Sequence, residues 1–355
     1  MTSDLEVNKP EPVAVGAGAQ SFTRGTDVAP TIAALQRGEW VVVRDFFSSG
    51  IMLLKELHAE LKRSLPHQSL AEQRAYRAEY QRISQRVLLE VSDQSLVVKK
   101  APTIGWLREL YPKNHHFYLS FPQVQGLNSA WQWYERGIAI PGLRAKIHPY
   151  YGVYFPTRFE HIELFGSWLK NYHGPKRTAI DVGIGCGVLS LQLVQKGWQK
   201  VYATDTNPNA IVGMQKAMGA TKLARKIQMD HGHLFGGWDA PTELIVFNPP
   251  WLPASHASGN LDRAIYYDDE LFPEFFAEAQ KRLRPSGRLV LIFSNLAQIT
   301  GTTTGHPIET ELAKGRRFKL EEFSKQPVGA ASRKTKRNQP WRATEEVELW
   351  VLTHR

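Results

Sequence analysis

Residues 180–187 read Ile-Asp-Val-Gly-Ile-Gly-Cys-Gly, and this stretch decides the fold. Ile180 to Val182 end a short apolar run of strand character. Gly183, Gly185 and Gly187 make a tight turn, and an apolar helical pattern starts behind it. A glycine turn between strand and helix lets backbone N–H groups and the helix N-terminus approach a polar ligand closely. Dinucleotide binders set their glycines in a G-x-G-x-x-G frame. Position 188 is valine here, which departs from that frame. Asp181 stands two positions before the first glycine, where dinucleotide binders keep an apolar residue. A carboxylate at that point repels a pyrophosphate and suits a ligand carrying ammonium and sulfonium charge.

Outward from this turn the pattern repeats. Residues 178–182, 200–204, 243–247 and 288–293 are short runs rich in Val and Ile, separated by helical patterns over 187–196, 207–218 and 270–283. Strands alternating with helices at this pitch predict a parallel sheet covered on both faces. Residues 318–323 and 346–353 predict an antiparallel ending. The second strand closes on Asp205, an acid that can accept both hydroxyls of a ribose. Thr206 or Asn207 caps the helix that follows, with Pro208 in its first turn. Asp230 follows a third short run, 226–229.

The fourth strand runs into Asn248-Pro249-Pro250-Trp251. An amide or exocyclic aromatic amine is a poor nucleophile, because its lone pair is delocalised. Accepting hydrogen bonds from both of its N–H groups pulls the nitrogen toward sp³. The Asn248 side-chain oxygen and the Pro249 carbonyl are candidate acceptors, paired prolines stiffen them in place, and Trp251 offers a flat ring for stacking. The product ammonium loses its proton readily, so the pattern nominates no catalytic His or Cys.

The glycine turn, the acid-ended second strand and the Asn-Pro-Pro-Trp tetrad, in this order, resemble class I S-adenosylmethionine (SAM)-dependent methyltransferases. The resemblance covers about 150–355. It is closest to the branch of release-factor glutamine methylases and small RNA adenine or guanine N-methylases. Gly152-Val153-Tyr154-Phe155-Pro156 resembles the segment preceding the core in that branch. The resemblance implies an α/β fold: a Rossmann-like seven-stranded class I methyltransferase sheet. It implies SAM as cofactor, held by Asp181, Gly183, Gly185, Gly187, Asp205, Asp230 and Asn248. Asn248, Pro249 and Trp251 are the implied catalytic set. Two departures stand out. Glu243 replaces the usual aspartate at the start of the fourth strand, in a structural role. Trp251 replaces the usual Tyr or Phe, which narrows the acceptor slot and leaves the acceptor's identity open.

The rest of the chain divides into a disordered arm over 1–30, rich in Pro, Gly, Ala, Ser and Thr, and a mainly helical N-terminal domain over 31–145. The methyltransferase domain takes 146–355. Ile51, Leu54, Leu57 and Leu61 have helical spacing. Residues 70–91 predict a long charged helix whose Arg74, Arg77, Arg82 and Arg86 are balanced by Glu72, Glu79 and Glu90, a solvated face rather than a phosphate stripe. Trp131, Trp133 and Tyr134 are expected to pack against the next domain.

Hydrophobic residues make up 42% and charged ones 22% of the 355, a globular profile with no apolar run of membrane length. No basic-then-apolar leader is visible, so a cytoplasmic location is expected. The single cysteine, Cys186, excludes an internal disulfide framework. His231-x-His233 and His115-His116 lack further ligands nearby, and no metal is expected. Asp268-Asp269-Glu270 reads as a helix cap, and 252–266 as either a flap over the acceptor or a plain surface loop. The net charge of +10 and the basic run Arg333 to Arg337 suit an RNA partner. The expected activity is SAM-dependent N-methylation of a planar nitrogen in a macromolecule, a protein glutamine amide or an RNA base. A small heteroaromatic or amide metabolite stays open as acceptor. From another class, so does a non-catalytic SAM-binding or RNA-binding protein, although an intact acceptor tetrad argues for catalysis.

Overall fold

A computed structural model describes residues 5–16, 18–66, 70–219, 221–254, 264–329 and 343–355. The chain divides into two units: residues 9–135 form one, and 136–355 together with the first eight residues form the other.

The 9–135 unit adds a small sheet to the helices read from the sequence. Strands β1 (Gln20–Phe22), β2 (Val41–Val43), β3 (Val87–Ser92), β4 (Ser95–Leu96) and β5 (His116–Ser120) build a five-stranded sheet in the order β1-β2-β3-β4, with β5 also on β3. Helices α1 (Val28–Arg37), α2 (Phe47–Ser64), α3 (Leu70–Ser84), α4 (Trp106–Leu110) and α5 (Phe121–Arg136) complete it. Two expectations are corrected here. The helix read over 70–91 stops at Ser84, because Val87 to Val91 supply β-branched and leucine side chains to a buried pleated surface between β2 and β5. The arm read as disordered is ordered where described: Val13 bridges to Tyr118, and 20–22 pair in parallel with β2. Composition could not show this, because the pairing partner lies outside the segment. Arg82 forms a forked ion pair with Glu79, as the solvated reading required, whereas Arg86 lies over Trp40 and donates to the Gly38 carbonyl. Trp131 and Tyr134 pack on Trp106 within their own unit.

The second unit contains α6 (Glu160–Asn171), β6 (Thr178–Val182), α7 (Val188–Gln195), β7 (Lys200–Asp205), α8 (Pro208–Met218), β8 (Ile227–His231) and β9 (Thr242–Phe247). It continues through β10 (Leu252–Pro253), β11 (Tyr266–Tyr267), α9 (Leu271–Arg282), β12 (Leu283–Ser294), α10 (Leu296–Ile299), α11 (Pro307–Lys314), β13 (Phe318–Pro327) and β14 (Glu346–His354). Seven of these strands form one sheet in the order β13-β14-β12-β9-β6-β7-β8. The five strands β12, β9, β6, β7 and β8 run parallel, and β14 pairs antiparallel with both β12 and β13. Every residue of β9 is buried, as a strand covered on both faces requires. This is a Rossmann-like seven-stranded α/β sheet, as the sequence predicts.

Glu243 locks the N-terminal ends of the central strands together. Its buried carboxylate accepts from the Thr178 amide at 2.8 Å, the Thr178 hydroxyl and Arg177 Nε at 2.9 Å. Burial alone would raise this carboxyl, and the hydrogen bonds outweigh it, leaving it below the usual range. Strand order reverses between β6 and its two neighbours, β7 and β9. In open α/β sheets ligands bind beyond the carboxyl ends of the strands at that point.

Candidate active site

Four of those strand ends carry the residues singled out in the sequence. In the ladder Asp181 pairs with Ala203 and Val246, Val182 with Phe247, and Thr204 with Asp230. The turn after β6, the acid ending β7, Asp230 on β8 and the tetrad after β9 therefore lie side by side.

Gly183, Gly185 and Gly187 all have positive φ, at 72°, 51° and 81°, a region that excludes most side chains. At Gly187 a Cβ would also run into the Met214 side chain. The turn is tied to β7: Ile184 N donates to the Thr204 carbonyl at 2.7 Å and Gly185 N to Asp205 Oδ2 at 2.8 Å. The other Asp205 oxygen accepts from Asn207 N at 2.8 Å. Each oxygen thus keeps lone-pair capacity for a further donor. Burial raises the Asp205 carboxyl, with the two backbone N–H groups pulling the other way.

Asp181 is 1% exposed. Its Oδ2 accepts from Ser190 Oγ at 2.6 Å, while Oδ1 has no hydrogen-bond partner among the described residues. Burial pushes this carboxyl up to about 7. A buried carboxylate oxygen without a donor is costly, and a cationic ligand is the natural complement to it. Beside it, burial pushes the Cys186 thiol up to about 12, so this cysteine is no nucleophile.

Asp230 is exposed and accepts from Gly237 N at 2.8 Å. It borders a cleft of about 440 Å³ that Gly232, Phe235, Gly237 and Arg282 also line. His231 and His233 turn to different partners, the Thr206 carbonyl and Glu274. Among the described residues no three His, Cys, Asp or Glu side chains are grouped to hold a metal ion.

In the tetrad, Pro249 is buried, while Asn248 and Trp251 are half-buried. Trp251 Nε1 donates to Asn248 Oδ1 at 3.1 Å, so the tryptophan orients the amide as well as presenting a ring. Sequence reasoning did not foresee this bond, since Tyr or Phe lacks a ring N–H. A carbonyl oxygen has two lone pairs, and Asn248 retains one for an incoming N–H.

Two features were missed altogether. His161, on α6, stands with its ring 5.5 Å from the Trp251 ring and at 89° to it. It is buried, and burial lowers its pKa to about 4, so the imidazole is neutral. Nothing in its sequence neighbourhood marks it. The second feature is the start of the chain. Asn8 N donates to Asn209 Oδ1 at 2.7 Å, Asn209 Nδ2 returns a bond to the Asn8 carbonyl at 2.8 Å, and Asn8 Nδ2 reaches Asn207 Oδ1 at 3.2 Å. Asn209 also holds the Tyr151 carbonyl at 2.7 Å, and Asn207 the Gly152 carbonyl at 2.9 Å. As expected, Asn207 caps α8, accepting from Asn209 N. Asp268 plays the corresponding part for α9, accepting from Leu271 N.

Residues 161–314 match the family model described as the methyltransferase small domain. A protein of Methanocaldococcus jannaschii named for N5-glutamine methyl transfer is 29% identical over 168 residues, 45% of this chain and 80% of that protein. The tRNA1(Val) (adenine(37)-N6)-methyltransferase of Parabacteroides distasonis is 26% identical over 136 residues, 36% of this chain and 56% of that enzyme. The release factor glutamine methyltransferase of Deinococcus radiodurans is 33% identical over 127 residues, 33% of this chain and 45% of that enzyme. The chain thus spans about half the length of the latter two.

Proposed function

We propose that this chain, a methyltransferase carrying the small domain over residues 161–314, moves the methyl group of SAM to a planar nitrogen of a macromolecule, a protein glutamine amide or an RNA base. One observation carries the reading. An unpartnered buried carboxylate oxygen, on Asp181, and a fixed amide oxygen, on Asn248, lie at the ends of neighbouring strands. The first fits the donor's cationic end, and the second fits an acceptor nitrogen.

When bound, SAM supplies an electrophilic methyl group on a sulfonium. Asp181 takes the ammonium, the Gly183–Gly187 turn lets the backbone come close, Asp205 takes the ribose hydroxyls and Asp230 the adenine amino group. Asn248 Oδ1 and the Pro249 carbonyl accept the two N–H groups of the acceptor and aim its lone pair. Trp251 holds Asn248 in that orientation and narrows the slot. The methylated nitrogen is acidic enough to lose its proton to water, so no general base is needed. The relatives' names divide between protein glutamine and RNA, which supports a macromolecular acceptor without choosing one.

Incubating the protein with methyl-labelled SAM and cell extract, followed by ribonuclease or protease, tests the reading. Label released by one of the two treatments names the acceptor class. Label confined to small molecules replaces the macromolecular acceptor, and no transfer at all returns the chain to a SAM- or RNA-binding role.

A further inference from the structure

Asn248 and Pro249 account for only one side of a planar acceptor. A carboxamide whose two N–H groups are taken still exposes its carbonyl oxygen, and an adenine amino group still has a ring nitrogen beside it. Each is a hydrogen-bond acceptor conjugated to the reacting nitrogen, and burying it without a donor is costly. Within the tetrad the two prolines have no N–H and the Trp251 ring N–H is spent on Asn248, which leaves the Asn248 amide nitrogen and the Trp251 backbone N–H as donors.

His161 offers a further donor beside them. Its ring lies against Trp251, and it is 9% exposed. Neither ring nitrogen hydrogen-bonds a described residue; the Trp251 ring contact and the charge of neighbouring Glu160 are its interactions. Glu160 itself is turned away, accepting from Phe159 N and Gly329 N. The ring nitrogens are not sealed off with the fully buried unpaired atoms of the chain, so a partner from outside can reach them. A neutral ring carries one N–H donor and one lone pair. We infer that His161 is a specificity residue that donates its ring N–H to the acceptor atom conjugated to the methylated nitrogen, selecting amides and adenine-like bases over simple amines. The inference rests on the N-methyltransferase reading of the same site. The bond stabilises the bound acceptor and its transition state about equally, so it is read in KM and not in kcat.

Two variants and one spectroscopic measurement test this. His161→Phe keeps a packing ring and loses the donor; His161→Gln keeps a donor and loses the ring. With labelled SAM and, as acceptor probes, a glutamine-containing peptide and an adenine-containing oligoribonucleotide, His161→Phe should raise the acceptor KM by roughly 3- to 10-fold, the size of one net hydrogen bond. It should leave kcat and SAM affinity within about twofold, and His161→Gln should restore most of the KM. Equal losses in both variants, or no change in His161→Phe, overturn the assignment in favour of plain packing. A readout independent of turnover uses ¹⁵N-histidine protein bound to S-adenosylhomocysteine, with the resonance assigned through His161→Gln. Millimolar acetamide or adenine should shift the His161 ring nitrogens and ethylamine should not. Absence of a shift with either planar probe overturns the inference. Failure of the wild type to methylate either acceptor, with the shift present, counts against the proposed function alone.

Discussion

Asp181 gives the site a pH signature whose sign follows from its burial. An unfolded chain releases this proton near 3.8, and the folded protein holds it up to about 7. Between those values the folded state binds more protons, so its contribution to stability is fully present at the acid end and falls as pH rises to about 7. In the proposed donor site the ionised carboxylate is the form that holds the cationic end of SAM, so SAM affinity is expected to run the opposite way. The amino group of SAM stays charged in this range, since such amines titrate near about 7.7–8.0. Calorimetry should therefore give an affinity on the order of tenfold higher at pH 7 than at pH 5.5, with most of that slope gone in Asp181→Asn. Parallel slopes in the two proteins would remove Asp181 from the donor site. Asn248 makes a complementary prediction. In the proposed mechanism its oxygen matters most as the acceptor nitrogen gains charge, so Asn248→Ala should cut turnover by on the order of 10²–10³ while SAM binding barely changes. Wild-type turnover in that variant would sink the mechanism. The placement of Asp181, Asp205 and Asn248 at neighbouring strand ends was legible in the sequence, because each lies at the end of an apolar run with a glycine or proline within three residues. His161 was not, because burial against a tryptophan far along the chain leaves no local mark.

Elements were legible in proportion to how local their causes are. The strands and helices of the sheet unit came through because buried parallel strands write themselves as Val- and Ile-rich runs, and helices between them as periodic ones. The Val87–Ser92 strand did not, because it follows a charged helix with no Gly or Pro between them and gains its identity from β2 and β5. The turn between β6 and α7 is the element where local chemistry is strictest. Gly187→Ala forces a side chain into the left-handed region and against Met214, a loss of about 1–2 kcal/mol for the backbone alone, readable in urea unfolding. A variant as stable as wild type would show that the turn relaxes freely. The junction at the start of α8 carries a similar test. Asn209 is fully buried and satisfies the Asn8 and Tyr151 backbones at once, so Asn209→Ala should cost about 1–3 kcal/mol, and SAM affinity should fall with it as the Asp205 loop loosens. Unchanged stability would mean that water replaces the amide without loss.

At the scale of the whole molecule, no helix among the described residues is long and apolar enough to cross a membrane, and the net charge is +10. The basic run Arg333 to Arg337 lies outside the described residues, as does most of the 252–266 stretch read as a flap or loop. For an RNA acceptor, neutralising two of those charges should weaken binding to all sequences alike. It should also reduce the salt slope by about 0.7–0.9 per lost phosphate contact. An identical slope would mark the run as solvated charge. The pairing of Asn8 with Asn209 sets a timetable for the newborn chain. The residue that leaves the ribosome early meets its partner 201 positions later, a wait of roughly 10–40 s at 5–20 residues per second. Through that interval the 9–135 unit can fold as an insertion, while the unit around it waits for the partner of its first strap.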